Sequence, residues 1–203
     1  MNRILGPKMM KRFSLDDLPR EPWKNGGGTT RTVCTETTKR SASLFDWRVS
    51  IADIVESGPF SVFPGIDRIA VVLENGPLRL TKNPPLGQLV APLLSAERYC
   101  PIAFDGGNAL FGAIPGEPVL CLNVMTRRSV ASATIRILEA DTVLEPETCS
   151  VLIAADAGWQ VGPFTLDKHE GLIIRNGMPL NARAPLNASG PLIMVTIGAL
   201  EGG

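Results

Sequence analysis

With 203 residues, 20 Lys+Arg and 20 Asp+Glu, the chain has room for one large domain or two small ones, and its zero net charge lacks the basic surplus of a nucleic-acid binder. Hydrophobic residues at 44% and charged residues at 20% are ordinary for a folded protein and argue against disorder. No apolar run reaches the roughly 18 residues that a membrane-spanning helix needs.

The N-terminus is basic but lacks the apolar stretch of a signal peptide, so a cytoplasmic protein is expected. Residues before Met9 or Met10 carry no usable pattern and read as an extended start or an added leader. Ser14-Leu-Asp-Asp-Leu-Pro predicts one helical turn, with Ser14 as cap, Asp16 and Asp17 at its positive end and Pro19 as the stop. Helix periodicity is then absent. Short β-type runs follow at Thr29–Thr35, Trp47–Ile54, Arg68–Leu73, Leu78–Thr81, Leu110–Ile114, Val119–Met125, Ala133–Leu138, Val151–Ala155, Gly171–Arg175 and Leu192–Ile197. Turn signals such as Asn75-Gly-Pro, Asp105-Gly-Gly-Asn and Asn176-Gly separate them, because Asn-Gly and Gly-Gly supply the positive φ of tight turns. Many short strands at turn-length spacing mean a sandwich or barrel, and the missing β-α alternation disfavours a parallel α/β fold. A soft boundary falls near Thr126–Ala131.

Cys34, Cys100, Cys121 and Cys149 lie far apart, with no C-x-x-C, so zinc knuckles and redox motifs are unlikely readings. The apolar flanks of Cys121 and Cys149 suggest small core residues in a reducing compartment, with disulfides in a secreted protein as the weaker reading. His169, in Asp167-Lys-His-Glu-Gly, is the only histidine and reads as an exposed turn. One histidine cannot build a His-rich metal centre, and a Ser-His-Asp triad lacks the G-x-S-x-G elbow, so no cofactor or metal is expected. Acid–base work by Asp67, Glu36 or Tyr99 stays open, with nothing in the spacing to single it out.

Four segments carry the chemistry. In Pro22-Trp-Lys-Asn-Gly-Gly-Gly-Thr-Thr-Arg, Lys24, Asn25 and the glycine amides could line a pocket; a glycine-rich bulge with Trp23 as a core plug is the favoured structural reading. In Asp46-Trp-Arg-Val-Ser-Ile-Ala, alternation sets Trp47, Val49 and Ile51 against Arg48, Ser50 and Ala52. An Arg48 facing an interior needs a carboxylate or an anionic ligand, whereas on an exposed face it needs only water. Ser57-Gly-Pro-Phe-Ser-Val-Phe-Pro-Gly-Ile-Asp-Arg brackets a short aromatic strand between turn pairs. It then sets Asp67 beside Arg68, either to hold a polar ligand or to pin the loop as an ion pair. In Leu122-Asn-Val-Met-Thr-Arg-Arg, a buried Asn123 must be hydrogen-bonded, to a ligand or to a loop, while Arg127 and Arg128 read as a solvated strand end.

Trp23-Lys-Asn-Gly-Gly-Gly-Thr-Thr, Trp47-Arg-Val-Ser-Ile-Ala, Gly58-Pro-Phe-Ser-Val-Phe-Pro-Gly-Ile-Asp-Arg and Asn123-Val-Met-Thr-Arg-Arg, in this order and spacing, resemble the HutD/Ves family. The resemblance implies an all-β fold of two cupin-like (RmlC-like) β-barrels, a bicupin with very little helix. A larger N-terminal barrel would span 10–130 and a smaller one, intimately packed, 131–203. It implies a binding site in the larger barrel built from Lys24, Asn25, Arg48, Ser61, Asp67, Arg68 and Asn123. One departure stands out: Cys121 occupies a place, two before the asparagine, where family members often carry an acid. The implied role is metal-free binding of a small acidic metabolite, formiminoglutamate- or urocanate-like, that modulates histidine utilisation. Arg48 or Arg68 would grip a carboxylate, and Asn25 and Asn123 would read the nitrogen end. The alternatives are a metal-independent isomerase or lyase with Asp67 as base, and a stress-related interaction module. Neither nucleic acid nor membrane is expected as a partner, and a homodimer is left open.

Overall fold

The computed structural model describes residues 10–37, 45–82, 93–146, 148–187 and 189–200, and the unpatterned leader before Met10 lies outside them. The described chain is all strand and turn. In order, the strands are β1 (Met10–Ser14), β2 (Glu21–Pro22), β3 (Gly28–Glu36), β4 (Trp47–Ile54), β5 (Gly58–Pro59), β6 (Ile66–Glu74), β7 (Leu78–Thr81), β8 (Leu94–Ala96), β9 (Ile102–Asp105) and β10 (Phe111–Ala113). They continue as β11 (Val119–Arg127), β12 (Ala131–Leu138), β13 (Thr142–Leu144), β14 (Cys149–Ala154), β15 (Trp159–Val161), β16 (Phe164–Leu166), β17 (Glu170–Arg175), β18 (Leu180–Arg183) and β19 (Leu192–Ala199). Where the sequence predicts a helical turn, Ser14 instead ends β1. Only two turn bonds follow, from Asp17 N to Ser14 O and from Leu18 N to Leu15 O. Pro19 stops them before an α-helical bond can form.

One unit, Pro19–Ala131, contains a six-stranded sheet ordered β2-β3-β4-β11-β6-β9 and a four-stranded sheet ordered β5-β10-β7-β8. The two share one core: Ala52 and Ile54 of β4, Ala70 and Val72 of β6 and Val119 of β11 pack with Leu78 and Leu80 of β7. Alternation explains the choice, since every second residue of β4, β6 and β11 faces that core. Gly28 opens β3 where Trp23 lies across it. A Cβ there would meet the Asp53 carbonyl oxygen inside van der Waals contact and the Trp23 ring at 3.2 Å. Neither obstacle is a flexible side-chain end. We expect Gly28→Ala to lower stability by about 1–3 kcal/mol or more, measured by urea unfolding.

The other unit joins the described residues up to Leu18 with Ser132–Leu200. Its five-stranded sheet runs β1-β17-β14-β19-β12 and its four-stranded sheet β13-β18-β15-β16. Fully buried Trp159 anchors its core with Leu144, Leu152, Leu166 and Leu172, and its indole Nε1 donates to Gly190 O at 3.1 Å. Strand β1 is thus part of this unit rather than of the 10–130 segment expected from the sequence. It pairs with β17 from Met10↔Ile174 to Ser14↔Glu170, and Arg12 bonds Glu170.

Among the described residues the ladders form four separate sheets, none closed on itself, so closed barrels are not what the hydrogen bonding builds. Several strands of the two four-stranded sheets are two or three residues long, too short to carry a ladder around a seam. The described residues contain no helix long and apolar enough to cross a membrane. No disulfide joins the four cysteines, and Cys121 and Cys149 are buried as their flanks suggested.

Candidate ligand-binding site

The six-stranded sheet of the Pro19–Ala131 unit can be read in rungs. Arg48 of β4 and Arg68 of β6 both pair with Met125 of β11, so two arginines flank one methionine. Two residues along, Ser50, Asn123 and Ala70 form the next rung. Ala52, Cys121 and Val72 form the one after. Glu21 of β2 pairs with Thr30 of β3, which pairs with Ala52, so Glu21 ends that third rung. This face floors a cavity of about 710 Å³. Trp23, Phe60 and Phe63 help to wall it, and Lys24, Asn25 and Ser61 also line it. Volume and mixed lining suit a small polar molecule.

Arg68 is 8% exposed, yet among the described residues no carboxylate lies within ion-pair distance of it. Its Nε and Nη2 donate to Asn123 Oδ1 at 3.3 and 3.2 Å, and Nη1 donates to Ser61 O at 3.4 Å. The rings of Phe60, Phe63 and Phe104 lie 5.2, 5.9 and 5.0 Å from the guanidinium carbon. Burial pushes the Arg68 guanidinium down to about 10, and neighbouring Arg48 pushes the same way. Arg48 is half-buried. Its Nη2 reaches Met125 Sδ at 3.2 Å, its guanidinium lies 5.0 Å from the Phe45 ring, and its Nε is buried without a hydrogen-bond partner among the described residues. Burial lowers its pKa too, and the charge of Glu21 opposes that. Cys121 adds no counter-charge, because burial pushes its thiol up to about 12 and keeps it neutral.

The asparagines are oriented by their partners. A guanidinium only donates, so the Asn123 side chain must turn Oδ1 to Arg68 and its NH₂ elsewhere. Gly27 N–H likewise claims Asn25 Oδ1 at 3.1 Å. With Oδ1 engaged in this way, each asparagine has its amide NH₂ left to offer, a donor that suits ligand oxygens. The floor as a whole offers donors and positive charge to an acceptor-rich anion.

Six of the seven residues named from the sequence, Lys24, Asn25, Arg48, Ser61, Arg68 and Asn123, line this cavity. Asp67 does not. One residue from Arg68 on β6, it faces the other way by alternation and holds Arg128 at 2.7 Å, an arginine that also reaches Asp105 at 3.1 Å. The ion pair foreseen near Asp67 therefore exists with Arg128 rather than with Arg68. Ser61 lies in Phe60–Phe63, expected as an aromatic strand but outside any ladder. Ser61 contributes its carbonyl oxygen, through Arg68, rather than a strand position. The triple glycine serves the turn, with Trp23 N donating to Gly28 O and Val55 N to Gly27 O, and it is the residues before it that line the cavity. Glu21 escaped the sequence reading, since no local pattern marks a carboxylate on a two-residue edge strand.

Cupin-like folds often hold metals through His and carboxylate ligands. Among the described residues no group of three His, Cys, Asp or Glu is placed to hold one, and two guanidiniums on the cavity floor would repel a cation. The residues present do not fit a resident metal there. His169 sits in a turn at φ 61° with its N–H donating to Ala154 O, and it is half-buried rather than exposed.

A family model described as HutD matches residues 15–193. Protein Ves of Citrobacter koseri is 29% identical over 169 residues, covering 83% of this chain and 84% of that one. Among solved structures, HutD from Pseudomonas fluorescens SBW25, in a formate condition, superposes with a TM-score of 0.79 at 22% identity, over 95% of this chain and 100% of that chain. A cupin 2 conserved barrel domain protein from Leptotrichia buccalis gives 0.56 at 9% identity, over 94% and 96%. These structural likenesses bear on the fold, which is cupin-like.

Proposed function

The chain belongs to the HutD family, and on that premise we propose that it is a metal-free binding protein for a small acidic metabolite, formiminoglutamate- or urocanate-like, that modulates histidine utilisation. We read its two units as the two halves of a bicupin, with the ligand held in the Pro19–Ala131 unit. The observation that carries the reading is a pair of arginines, Arg48 and Arg68, facing one cavity with no carboxylate within ion-pair distance of either among the described residues. A guanidinium withdrawn from water without a counter-charge is costly, and a bound carboxylate repays that cost through charge-assisted hydrogen bonds. Asp67, the base that a catalytic reading would use, is tied to Arg128 away from the cavity, which favours binding over turnover.

The test is calorimetric titration of metal-stripped protein with formiminoglutamate, urocanate, histidine, glutamate and formate. We expect saturable binding of at least one acid. In Arg48→Ala we expect it to weaken about 30-fold or more, as truncating one member of a desolvated charge pair does. Asp67→Asn should bind as the wild type does. Absence of heat with every acid would remove the cavity from the function, and unchanged affinity in Arg48→Ala would remove Arg48 from the site.

A further inference from the structure

The cavity is electrically polarised. Its inner rung carries two guanidiniums, while among the described residues Glu21 is the only carboxylate that lines it, and it lies on a different rung and strand. In the pairing, Glu21 sits in line with Ala52, and Arg48 is four residues further along β4. At sheet spacings the backbone positions are about 13 Å apart along the strands and about 10 Å across them. Extended side chains close part of that distance and leave a gap on the scale of a small bifunctional molecule. The two groups make no ion pair across it, yet the charge of Glu21 is felt at Arg48. The backbone of Glu21 is held by its ladder partner Thr30, whose Oγ1 accepts from Trp23 Nε1 at 2.8 Å.

We infer that Glu21 is a specificity-determining residue that reads a cationic nitrogen group on the ligand while Arg48 and Arg68 hold its carboxylate. The ligand class is thereby a zwitterionic acid, with an ammonium, amidinium or imidazolium group at the far end from the carboxylate that enters first. The asparagines are less suited to that task, since Asn25 Oδ1 already accepts from Gly27 N–H and Asn123 Oδ1 from Arg68, and neither side chain carries a charge. Glu21 alone among the lining side chains brings a negative acceptor. Lys24 lines the same rim and would meet a second carboxylate, so an acid bearing two carboxylates and one cation uses all four charged groups. This inference rests on the cavity being the acid-binding site proposed above.

Two probes of nearly equal length separate it from that reading: L-glutamate, which carries an ammonium, and glutarate, which does not. Affinity for each is measured in the wild-type protein and in Glu21→Gln, with a melting curve as the check on folding. Glu21 is exposed on a two-residue strand, so the amide should leave the fold intact. The expected result is a selective one. Glu21→Gln binds glutamate about fivefold more weakly, the scale of an exposed ion pair, and binds glutarate as well as or better than the wild type. The ratio of the two affinities is a readout that a merely structural role would leave alone. An unchanged ratio, with both probes bound by the wild type, overturns the role of Glu21 and leaves the acid site standing. Failure of the wild type to bind either probe overturns this inference, and the acid site falls with it only where formiminoglutamate, urocanate, histidine and formate also give no heat.

Discussion

Arg68→Met is expected to abolish binding of small carboxylates while leaving the melting temperature at or above that of the wild type. Arg68 is held in a charged state at a cost. Burial lowers its pKa to about 10, well below the ordinary guanidinium range, which corresponds to roughly 3 kcal/mol of disfavoured charge in the folded state. The sign follows from the direction. Below about 10 the guanidinium is charged both folded and unfolded, so the penalty is present in full at neutral pH. It fades only as pH rises above about 10, towards the higher ordinary range in which the unfolded chain also loses the proton. Methionine has similar length, no charge, and rings of Phe60 and Phe104 to pack against. Replacing buried ionic groups with apolar ones of similar volume is often neutral or stabilising. Calorimetric titration reads the first half of the expectation and scanning calorimetry the second. A melting temperature lowered by several degrees would mean that the bonds to Asn123 and Ser61 outweigh the desolvation. Retained binding would mean that Arg48 alone holds the acid.

Asn123→Asp should have the second largest effect, in the opposite sense on stability. Two guanidinium nitrogens of Arg68 already converge on Asn123 Oδ1, so a carboxylate of the same shape would become the missing counter-ion. A partly buried, two-pronged arginine–carboxylate pair is strong. The protein should gain about 1–3 kcal/mol near neutral pH and lose affinity for acids by about 100-fold, because the ligand now competes with an internal anion. The new carboxyl would have its pKa lowered by the adjacent guanidinium. The added stability is therefore present above the unfolded value of about 3.9 and is lost as pH falls through the depressed folded value. Urea unfolding at a series of pH values, beside titration with the same acids, checks both parts. Affinity unchanged in this variant would show that Arg68 is not where the ligand's charge rests.

Much of the scaffold was legible along the chain. Trp47–Ile54 and Leu78–Thr81 fall where alternation and turn residues predict, and the Asn75-Gly76 turn takes the positive φ that its residues favour. Strands such as Ile102–Asp105 and Trp159–Val161 went unread, because runs this short carry too few residues for a period to appear. The first strand groups with the Ser132–Leu200 residues rather than with its neighbours in sequence. Its partner is 158 residues away, through Arg12 and Glu170, and no local signal reports a pairing at that distance.

The same division runs through the candidate site. Sequence alone determined that Arg48, Ser50 and Ala52 share a face of one strand, since a period of two is a property of the extended backbone and needs no partner. Neighbours in sequence could also be separated by that rule, and it is why Asp67 and Arg68 part company. Only the tertiary structure decided that Arg48 and Arg68, from different strands, meet across Met125, that Asn123 turns its oxygen to Arg68, and that Glu21 on a distant edge faces the same cavity. Register between strands is set by the packing of whole faces and by bulges such as the one at Thr32/Cys34. Those are sums over many residues far apart in the chain, whereas the alternation within a strand is local.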